Sequence, residues 1–294
     1  MPEPARLRWH EDANAFRDLL TLTAARAGFL VRLVEKDYFC SVLLEYLAAS
    51  CPSLVFKGGT CLAKVHTEFH RMSEDLDFTI PVPLETARSA RSRLAEELKG
   101  AMAEIEHRLP VFRAASPLRG ANASTQYIAV VAYTSRVGLG DETIKIEAGL
   151  REPLLTPAIR GEAQTLLRGP ASDRPLVPAL SVPCLSHDEA MAEKLRAALS
   201  RRDPAIRDFY DVDHIVHHRG YRVEDPAFLT LVRRKLEMPV NSVVDLSTVR
   251  FAALSSQLDT ALKPVLRPAD FARFDLDRAF ATVADVAAAL DQTP

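Results

Sequence analysis

Two aspartates separated by one residue, Asp75 and Asp77, have the type and spacing that metal chemistry requires. Leu76, Phe78 and Ile80 alternate with them, which predicts a β-strand with one buried apolar face and both carboxylates on the other face. Two carboxylates this close repel each other unless a cation lies between them. Because oxygen ligands of this kind suit Mg²⁺ or Mn²⁺ better than zinc, we expect a divalent-metal site here. The alternative is a solvent-facing edge strand with ordinary charges.

A glycine pair follows a short apolar run at residues 54–56, in the order Lys57-Gly58-Gly59-Thr60. Glycines at the end of a buried strand let the backbone approach another group closely. If a helix begins directly after them, its free N–H groups favour an anion such as a triphosphate, and the Thr60 hydroxyl adds a donor. An ordinary tight turn has the same sequence, so the motif gains its weight from the aspartates nearby.

A third carboxylate would complete a two-metal site, and Glu147 is the best candidate for it. It lies between apolar Ile146 and Ala148 on a strand that we predict at residues 143–148. The alternative interpretation is an exposed strand glutamate that pairs with Lys145.

The C-terminal half contains two further charged features. Lys194 falls within an apolar helical stripe, so its ammonium group must reach solvent or an anionic partner, either a nucleotide phosphate or a nearby acid. Asp208 and Asp211 share a face of the next predicted helix with apolar residues, so they need donors or a metal nearby. Helix capping and pairing with Arg202 or Arg207 are the alternatives for these two aspartates.

Hydrophobic periodicity predicts the elements that hold these residues. We expect the predicted helix at 203–218 to be capped by Asp203-Pro204 and the one at 186–200 to begin with a capping box. The predicted helices are 11–50 (two helices), 60–69, 84–109, 186–200, 203–218, 226–236 and 248–290, and the predicted strands are 54–56, 76–80, 127–133 and 143–148.

The prolines divide the chain into regions. Six of them lie between residues 151 and 183, which predicts a connection that runs over the surface. We therefore expect an α/β domain with N-terminal helices over 1–150, a proline-rich connection over 151–183 and a helical domain over 184–294.

Composition excludes several classes of protein. With 48% hydrophobic and 26% charged residues, the chain has a globular composition. It contains no apolar run of about 18 residues, and residues 1–14 lack the apolar segment of a signal peptide, so we expect a cytoplasmic protein with no membrane partner. The net charge of −2 does not indicate nucleic-acid binding, although basic clusters at 88–93, 201–207 and 233–235 are compatible with an RNA-facing surface or with solvated helix faces.

The cysteines have no paired spacing, which argues against a disulfide framework and against a zinc site of the C-x-x-C kind. We expect them to be buried apolar residues or free thiols. His66 and His70 are four residues apart, but the intervening glutamate stands in the wrong place for a metalloprotease motif, so we expect exposed or capping histidines. The four cysteines are Cys40, Cys51, Cys61 and Cys184.

Several blocks of the sequence resemble the AbiEii family of nucleotidyltransferase toxins, which includes the MenT toxins of type IV toxin–antitoxin systems. The resemblance covers about residues 30–218. The blocks that resemble the family are Val34-Glu35-Lys36-Asp37-Tyr38, Phe56-Lys57-Gly58-Gly59-Thr60, Arg71-Met72-Ser73-Glu74-Asp75-Leu76-Asp77-Phe78, Glu193-Lys194-Leu195-Arg196-Ala197, Arg202, and Arg207-Asp208-Phe209-Tyr210-Asp211-Val212.

This resemblance implies an α/β (α+β) fold: a DNA polymerase β-like nucleotidyltransferase mixed sheet, within residues 1–150, with an appended C-terminal helical domain. It implies Mg²⁺ (or Mn²⁺) as the cofactor and an NTP as the substrate. The implied roles are metal binding by Asp75, Asp77 and Glu147, triphosphate binding by Gly58, Gly59 and Thr60, phosphate contact by Lys194, and a catalytic place for Asp211.

The resemblance also implies the partners. Transfer of NMP to the 3′ end of tRNA would block translation, and an antitoxin from a separate gene would counteract it. Ser73 stands two residues before Asp75, so its phosphorylation, for example by an antitoxin, would add negative charge where triphosphate and metal must enter. Two other interpretations stay open: transfer of AMP or UMP to a protein hydroxyl, and a nucleotide-binding protein without catalysis.

Overall fold

The computed structural model describes residues 8–171, 174–239 and 241–292. Residues 1–7, which belong to the N-terminal stretch predicted to lack a signal peptide, lie outside the described residues. So do residues 172–173 of the predicted connection, and residues 240 and 293–294 of the predicted helical domain. The chain divides into two compact units. The first comprises Met1–Leu154 and Ala158–Leu185, and the second comprises Leu155–Pro157 and Ser186–Pro294.

A seven-stranded mixed sheet organises the first unit, in the strand order β3-β4-β5-β2-β1-β7-β6. The pairs β2–β5 and β1–β7 are parallel, and the other neighbouring pairs are antiparallel. A mixed α/β fold is thus confirmed, with β2 inside the sheet between β1 and β5. The strands are β1 (Val55–Lys57), β2 (Leu76–Thr79), β3 (Phe112–Ala121), β4 (Gln126–Thr134), β5 (Asp141–Gly149), β6 (Ile159–Ala163) and β7 (Leu180–Cys184).

The helices of the first unit begin with the two that the N-terminal periodicity predicts. Asp12 caps the first of them by accepting from the backbone N–H groups of Asn14 and Ala15, and Gly28 ends it in the left-handed conformation. The helices are α1 (Ala13–Ala27), α2 (Val31–Ser50), α3 (Gly58–Cys61), α4 (Arg88–Leu94), α5 (Glu96–Ala103) and α6 (Ile105–Arg108), and α3 continues as a π-helical segment at Leu62–His66.

The single long helix predicted at 84–109 is wrong. Three short helices, α4 to α6, occupy this stretch, because its apolar stripe does not face one core. Leu84 and Leu94 are exposed, whereas Leu98, Met102 and Ile105 are buried. A helix needs a continuous apolar stripe against the core to remain straight and packed, and only the second half of this stretch supplies one.

The surface connection predicted at 151–183 also differs from the structure, because this stretch contains strands β6 and β7. They pair with each other, and β7 joins the sheet beside β1. Five of the six prolines lie outside the two strands, and the sixth, Pro183, lies within β7 opposite Arg160. The proline content of this stretch therefore concealed two short strands, β6 at the edge of the sheet and β7 between β6 and β1.

The second unit is helical. As the capping box predicts, the Ser186 hydroxyl accepts from the Glu189 backbone N–H at the start of its first helix. The next helix begins at Ile206, after Ala205, so the predicted cap at Asp203-Pro204 is wrong. Prolines 264 and 268 divide the stretch 248–290, predicted as helical throughout. The helices are α7 (His187–Ser200), α8 (Ile206–Arg219), α9 (Pro226–Leu236), α10 (Thr248–Ser255), α11 (Pro268–Arg273) and α12 (Leu276–Gln292).

None of the helices in the described ranges 8–171, 174–239 and 241–292 is both long and apolar enough to span a bilayer.

Candidate active site

The three carboxylates predicted from the sequence come together at the centre of the sheet. Asp77 on β2 lies opposite Glu147 on the parallel strand β5 and opposite Lys57 on the antiparallel strand β1. Residues in register on neighbouring strands project from the same face of the sheet, and so do residues two apart on one strand. Asp75, just before β2, accepts a hydrogen bond of 3.2 Å from the Lys145 backbone N–H on β5. Asp75, Asp77 and Glu147 therefore share one face.

The opposite face of β2 is apolar and buried, as the alternation predicts. Leu76, Phe78 and Ile80 are all almost completely inaccessible, and the Phe78 ring lies 5.5 Å from that of Phe56 on β1. Because β2 lies between β1 and β5, the alternative of a solvent-facing edge strand is wrong.

The pKa of Asp77 lies above its ordinary value. Burial is the largest cause, the negative charge of Glu147 adds to it, and the nearby Lys145 and Lys57 ammonium groups oppose it. A carboxylate that is destabilised in this way is a good ligand for a cation, since the cation removes the repulsion. The three side chains offer oxygen ligands alone, so the donor set fits Mg²⁺ or Mn²⁺.

Glu147 also has local partners. Lys145 Nζ lies 3.2 Å from Glu147 Oε2, and Gln126 Nε2 donates to Glu147 Oε1 at 2.5 Å. Glu147 therefore pairs with Lys145, which was the alternative interpretation of the sequence. It also lies opposite Asp77, as a third metal ligand would. The side chain is held beside the aspartates and remains 24% exposed, so an entering group can reach it.

The glycine turn lies against the carboxylates. Strand β1 ends at Lys57 and α3 begins at Gly58, whose φ of 76° favours glycine. A Cβ on Gly58 would meet the side chain of Asp77, 2.8 Å from its Cβ. A Cβ on Gly59 would lie 3.0 Å from Ser73 Oγ. The close backbone approach predicted for the two glycines is therefore present, and it is toward Asp77 and Ser73.

Thr60 connects this turn to the strand of the aspartates. Its hydroxyl, which we expected to donate to a phosphate, donates to the backbone carbonyl of Asp75, and the residue is buried. The contact fixes the distance between the turn and the first metal-binding candidate.

Comparison with protein families matches residues 42–291 to the family described as "Nucleotidyl transferase AbiEii toxin, Type IV TA system". The chain belongs to this family. Among solved structures it is similar to MenT4, a nucleotidyltransferase toxin from Mycobacterium tuberculosis H37Rv, with 21% identity, a TM-score of 0.56 and coverage of 94% of this chain and 98% of that one. It is also similar to JHP933 from Helicobacter pylori, with 14% identity, a TM-score of 0.50 and coverage of 90% and 94%. A comparison with curated proteins found no match.

A half-buried charge network stands behind the carboxylates of this AbiEii-family chain. Lys36 Nζ on α2 lies 3.0 Å from Glu74 Oε2 and 3.1 Å from Glu142 Oε2, and Arg32 Nη1 contacts the same two oxygens at 2.9 and 3.3 Å. Glu74 directly precedes Asp75, and Glu142 lies near the start of β5. The network therefore connects α2 to both strands that carry metal-binding candidates. Sequence reasoning found no role for Lys36, although its block resembled the family.

The residues beside Lys36 anchor two further loops of the AbiEii-family domain. Glu35 is fully buried, and its carboxylate accepts from Ser135 Oγ and from the Arg136 backbone N–H, each at 2.6 Å. Asp37 lies 2.5 Å from the buried Lys64 Nζ and accepts from the Leu166 backbone N–H at 2.9 Å. Charged residues inside a helix are rarely buried unless they are paired. Here they attach α2 to the loop between β4 and β5 and to the chain after β6.

In the helical unit of the AbiEii-family chain, the predicted residues Lys194 and Asp211 contact each other. Lys194 Nζ lies 2.9 Å from Asp211 Oδ2 and 2.8 Å from Asp208 Oδ1. The nearby acid that the sequence offered as the alternative partner is thus present. Asp208 also has Arg201 Nη1 at 3.5 Å, in place of the Arg202 or Arg207 that we considered. Asp211 is fully buried and its carboxylate is paired with the Lys194 ammonium group.

Proposed function

We propose that this chain transfers a nucleoside monophosphate from an NTP to the 3′ end of tRNA and so blocks translation. The observation that carries the proposal is the in-register pair Asp77 and Glu147, with Asp75 on the same face and the Gly58 backbone against Asp77. Membership in a family of nucleotidyl transferase toxins supports the reaction class. The acceptor is the part of the proposal that rests on the family resemblance of the sequence.

Asp75, Asp77 and Glu147 would hold the metal ions of a two-metal reaction, since they offer three carboxylates on one face. Bound Mg²⁺ would supply charge neutralisation for the triphosphate and a lowered pKa for the attacking hydroxyl. In the transfer, the 3′ oxygen of the acceptor forms a bond to the α-phosphorus of the NTP, the bond to the β-phosphate oxygen breaks, and pyrophosphate leaves. Such reactions demand mainly positioning and charge neutralisation from the protein.

The chain's own residues would position the nucleotide. Gly58 and Gly59 have no side chain where a triphosphate would approach Asp77, and their N–H groups can donate to it. The Thr60 hydroxyl keeps the turn at a fixed place relative to Asp75. The family resemblance implies that Lys194 contacts a phosphate and that Asp211 has a catalytic place, and on that basis we expect Lys194→Met to raise the KM for NTP.

We infer that a modification of Ser73 would interfere with nucleotide binding. The Ser73 Oγ lies 3.0 Å from the position of a Cβ on Gly59, beside the glycine turn. A phosphoryl group there would repel the triphosphate and attract the metal away from it. We propose that an antitoxin controls the chain by this modification or indirectly. Full transfer activity in Ser73→Glu, with normal activity in Ser73→Ala, would rule out the modification.

Incubation of the full chain with tRNA, Mg²⁺ and each of the four α-³²P-labelled NTPs tests the function. The matched variant is Asp75→Ala/Asp77→Ala, and the matched substrate is periodate-oxidised tRNA, which lacks the 3′ vicinal diol. We expect label on intact tRNA with a particular NTP, and none with oxidised tRNA or with the variant.

Three other results would overturn parts of the proposal. Label on oxidised tRNA would exclude the 3′ end as the acceptor. Label that resists RNase and is removed by protease would favour transfer to a protein hydroxyl. No label anywhere, with nucleotide binding intact in the wild type, would favour a nucleotide-binding protein without catalysis.

A further inference from the structure

A second group of ligand-type side chains lies away from the carboxylates of the active site. Cys61, His66 and Cys184 each place one ligand atom so that the three atoms lie within 4.8 Å of one another. Cys61 ends α3, His66 ends the π-helical segment, and Cys184 ends β7. All three belong to the first compact unit.

The fold creates this group from residues that are far apart in the sequence. Strand β7 runs parallel to β1 with Cys184 opposite Phe56, and the chain passes from β1 through the glycine turn to Cys61. The absence of a C-x-x-C spacing argues only against a zinc site whose ligands are close together in the sequence. It does not bear on a site whose ligands are brought together by the tertiary structure. The expectation of exposed or capping histidines is wrong, since His66 is half-buried and His70 is buried.

The surroundings of the group are built around the Cys184 sulfur. A Cβ on Gly161 of β6 would lie 2.6 Å from Cys184 Sγ and 2.6 Å from Val65 Cγ1, so only glycine leaves room for the sulfur here. His66 Nε2 lies 3.1 Å from the Leu185 carbonyl oxygen, a contact that orients the ring. Backbone partners of this kind commonly support metal-binding thiolates and imidazoles.

Both sulfur atoms of the group lie inside the protein. Cys184 and Cys61 are both almost completely inaccessible to solvent. A buried thiolate is favourable only when a cation compensates its charge, so a bound metal ion would suit two sulfur ligands at this depth.

We propose that Cys61, His66 and Cys184 bind a Zn²⁺ ion, with water or another small ligand in the fourth position. Two thiolates and one neutral imidazole form a neutral site with a divalent ion, which suits a buried location. A tetrahedral site with bonds of about 2.1–2.3 Å separates its ligand atoms by roughly 3.5–3.8 Å. Shifts of about 1 Å would therefore close this group around the ion. Sulfur and nitrogen ligands select zinc, whereas the oxygen ligands of the carboxylate face suit Mg²⁺.

Zinc at this position would join three elements behind the glycine turn. Cys61 directly follows Thr60, whose hydroxyl contacts the Asp75 carbonyl. The ion would thus fix α3 to β7 and to the segment that ends at His66. Its role is structural, so the proposal does not depend on the transfer reaction and can fail without affecting it.

Cobalt substitution tests the site in the full chain. The protein is stripped with a chelator under reducing conditions and titrated with Co²⁺, whose thiolate charge-transfer band is absent from oxygen-only sites. Asp75→Ala/Asp77→Ala serves as the background, so that the carboxylate face does not compete for the ion. We expect the band to saturate at one equivalent and to disappear when one equivalent of Zn²⁺ is added.

Variants assign the ligands. Cys61→Ser and Cys184→Ser should abolish the charge-transfer band, His66→Ala should weaken Co²⁺ binding by at least about tenfold, and Cys51→Ser, a buried cysteine outside the group, should leave it unchanged. Zn²⁺ should raise the Tm of the background protein, and far-ultraviolet circular dichroism checks that each variant is folded. A titration without the band, an equal band in folded Cys184→Ser, or a Cys61–Cys184 disulfide that forms in the presence of excess Zn²⁺ would overturn the proposal.

Discussion

Asp77 and Glu147 lie directly opposite each other on the parallel strands β2 and β5. Burial and the charge of Glu147 together raise the pKa of Asp77 above its ordinary value. The metal-free protein therefore keeps two carboxylates in an arrangement that opposes folding. Such local conflicts are expected where function, and not stability, selects the residues.

Removal of one charge from this pair should stabilise the metal-free protein. We expect Asp77→Asn to have a higher Tm than the wild type in the presence of a chelator at pH 7, because repulsion with Glu147 is lost. An aspartate with a raised native pKa binds its proton more tightly in the folded state, so its contribution to stability falls as pH rises through the range above 3.8. The variant should lack that part of the pH dependence.

Asp141→Asn is the control for this comparison, since Asp141 is an exposed residue of β5 that pairs with Arg113. It should not raise the Tm. In the presence of a chelator, a lower Tm for Asp77→Asn than for the wild type would show that favourable contacts stabilise the Asp77 carboxylate.

Glu74 should show the opposite pH dependence. Burial alone would raise the pKa of Glu74, but the Lys36 and Arg32 charges outweigh it and lower that pKa below its ordinary value of 4.5. Stabilisation from such a carboxylate is complete above the unfolded-state pKa and is lost as pH falls through the folded-state pKa. We expect Glu74→Gln to be less stable than the wild type at pH 7 and to lose less of its stability on acidification, as measured by urea unfolding. Equal pH profiles for the two proteins would contradict the pairing.

Lys36 should act as a positioning residue. The Lys36 ammonium group lies between Glu74 and Glu142, and the Lys36 side chain is only 8% exposed. In Lys36→Met, Arg32 is the one remaining cation of the network that pairs with these two carboxylates. We expect a loss of about 3 kcal/mol of unfolding free energy, and a fall in kcat that exceeds any change in the KM for NTP, because Glu74 precedes Asp75. Arg222→Met, which removes a highly exposed pair with Glu224, should leave both unchanged. A purely structural role would lower stability without moving kcat at temperatures where the variant is folded.

The glycine turn should not tolerate a methyl group. Gly58→Ala places a Cβ against the side chain of Asp77 and requires a φ of 76°, so we expect loss of transfer activity and a lower Tm. Gly100→Ala is the matched control: Gly100 lies within α5 with open space where a methyl group would stand, and alanine should stabilise that helix by about 0.5–1 kcal/mol. Normal activity in Gly58→Ala would contradict the close approach of the turn to the carboxylate face.

The central part of the site could be predicted because it is encoded locally. The alternation around Asp75 and Asp77 places both carboxylates on one face, and the buried Leu76 and Phe78 fix which face that is. The register of Asp77 with Glu147 could not be read from the sequence, since β5 lies far along the chain and its pairing depends on tertiary structure.

Other features escaped prediction for identifiable physical reasons. Strand β3 lies at the edge of the sheet, has mostly exposed side chains and carries two register shifts, so its sequence lacks a clear alternation. Lys36 is a charged residue whose burial is compensated by acids that lie 38 and 106 residues further along the chain (Glu74 and Glu142), and helical periodicity cannot reveal such partners. The Cys61, His66 and Cys184 group is likewise formed by three elements.

The Mg²⁺ dependence of the initial transfer rate tests whether the carboxylate face is the catalytic metal site. Labelled NTP and tRNA are supplied to wild type, Asp77→Asn and the control Asp141→Asn, with Mg²⁺ varied from chelator-treated solution to saturation. We predict a saturating rate for the wild type and the control, no transfer in chelator, and a rate at least about a hundredfold lower for Asp77→Asn at every Mg²⁺ concentration. Transfer by Asp77→Asn at the wild-type rate, or by the wild type in chelator, would contradict the account.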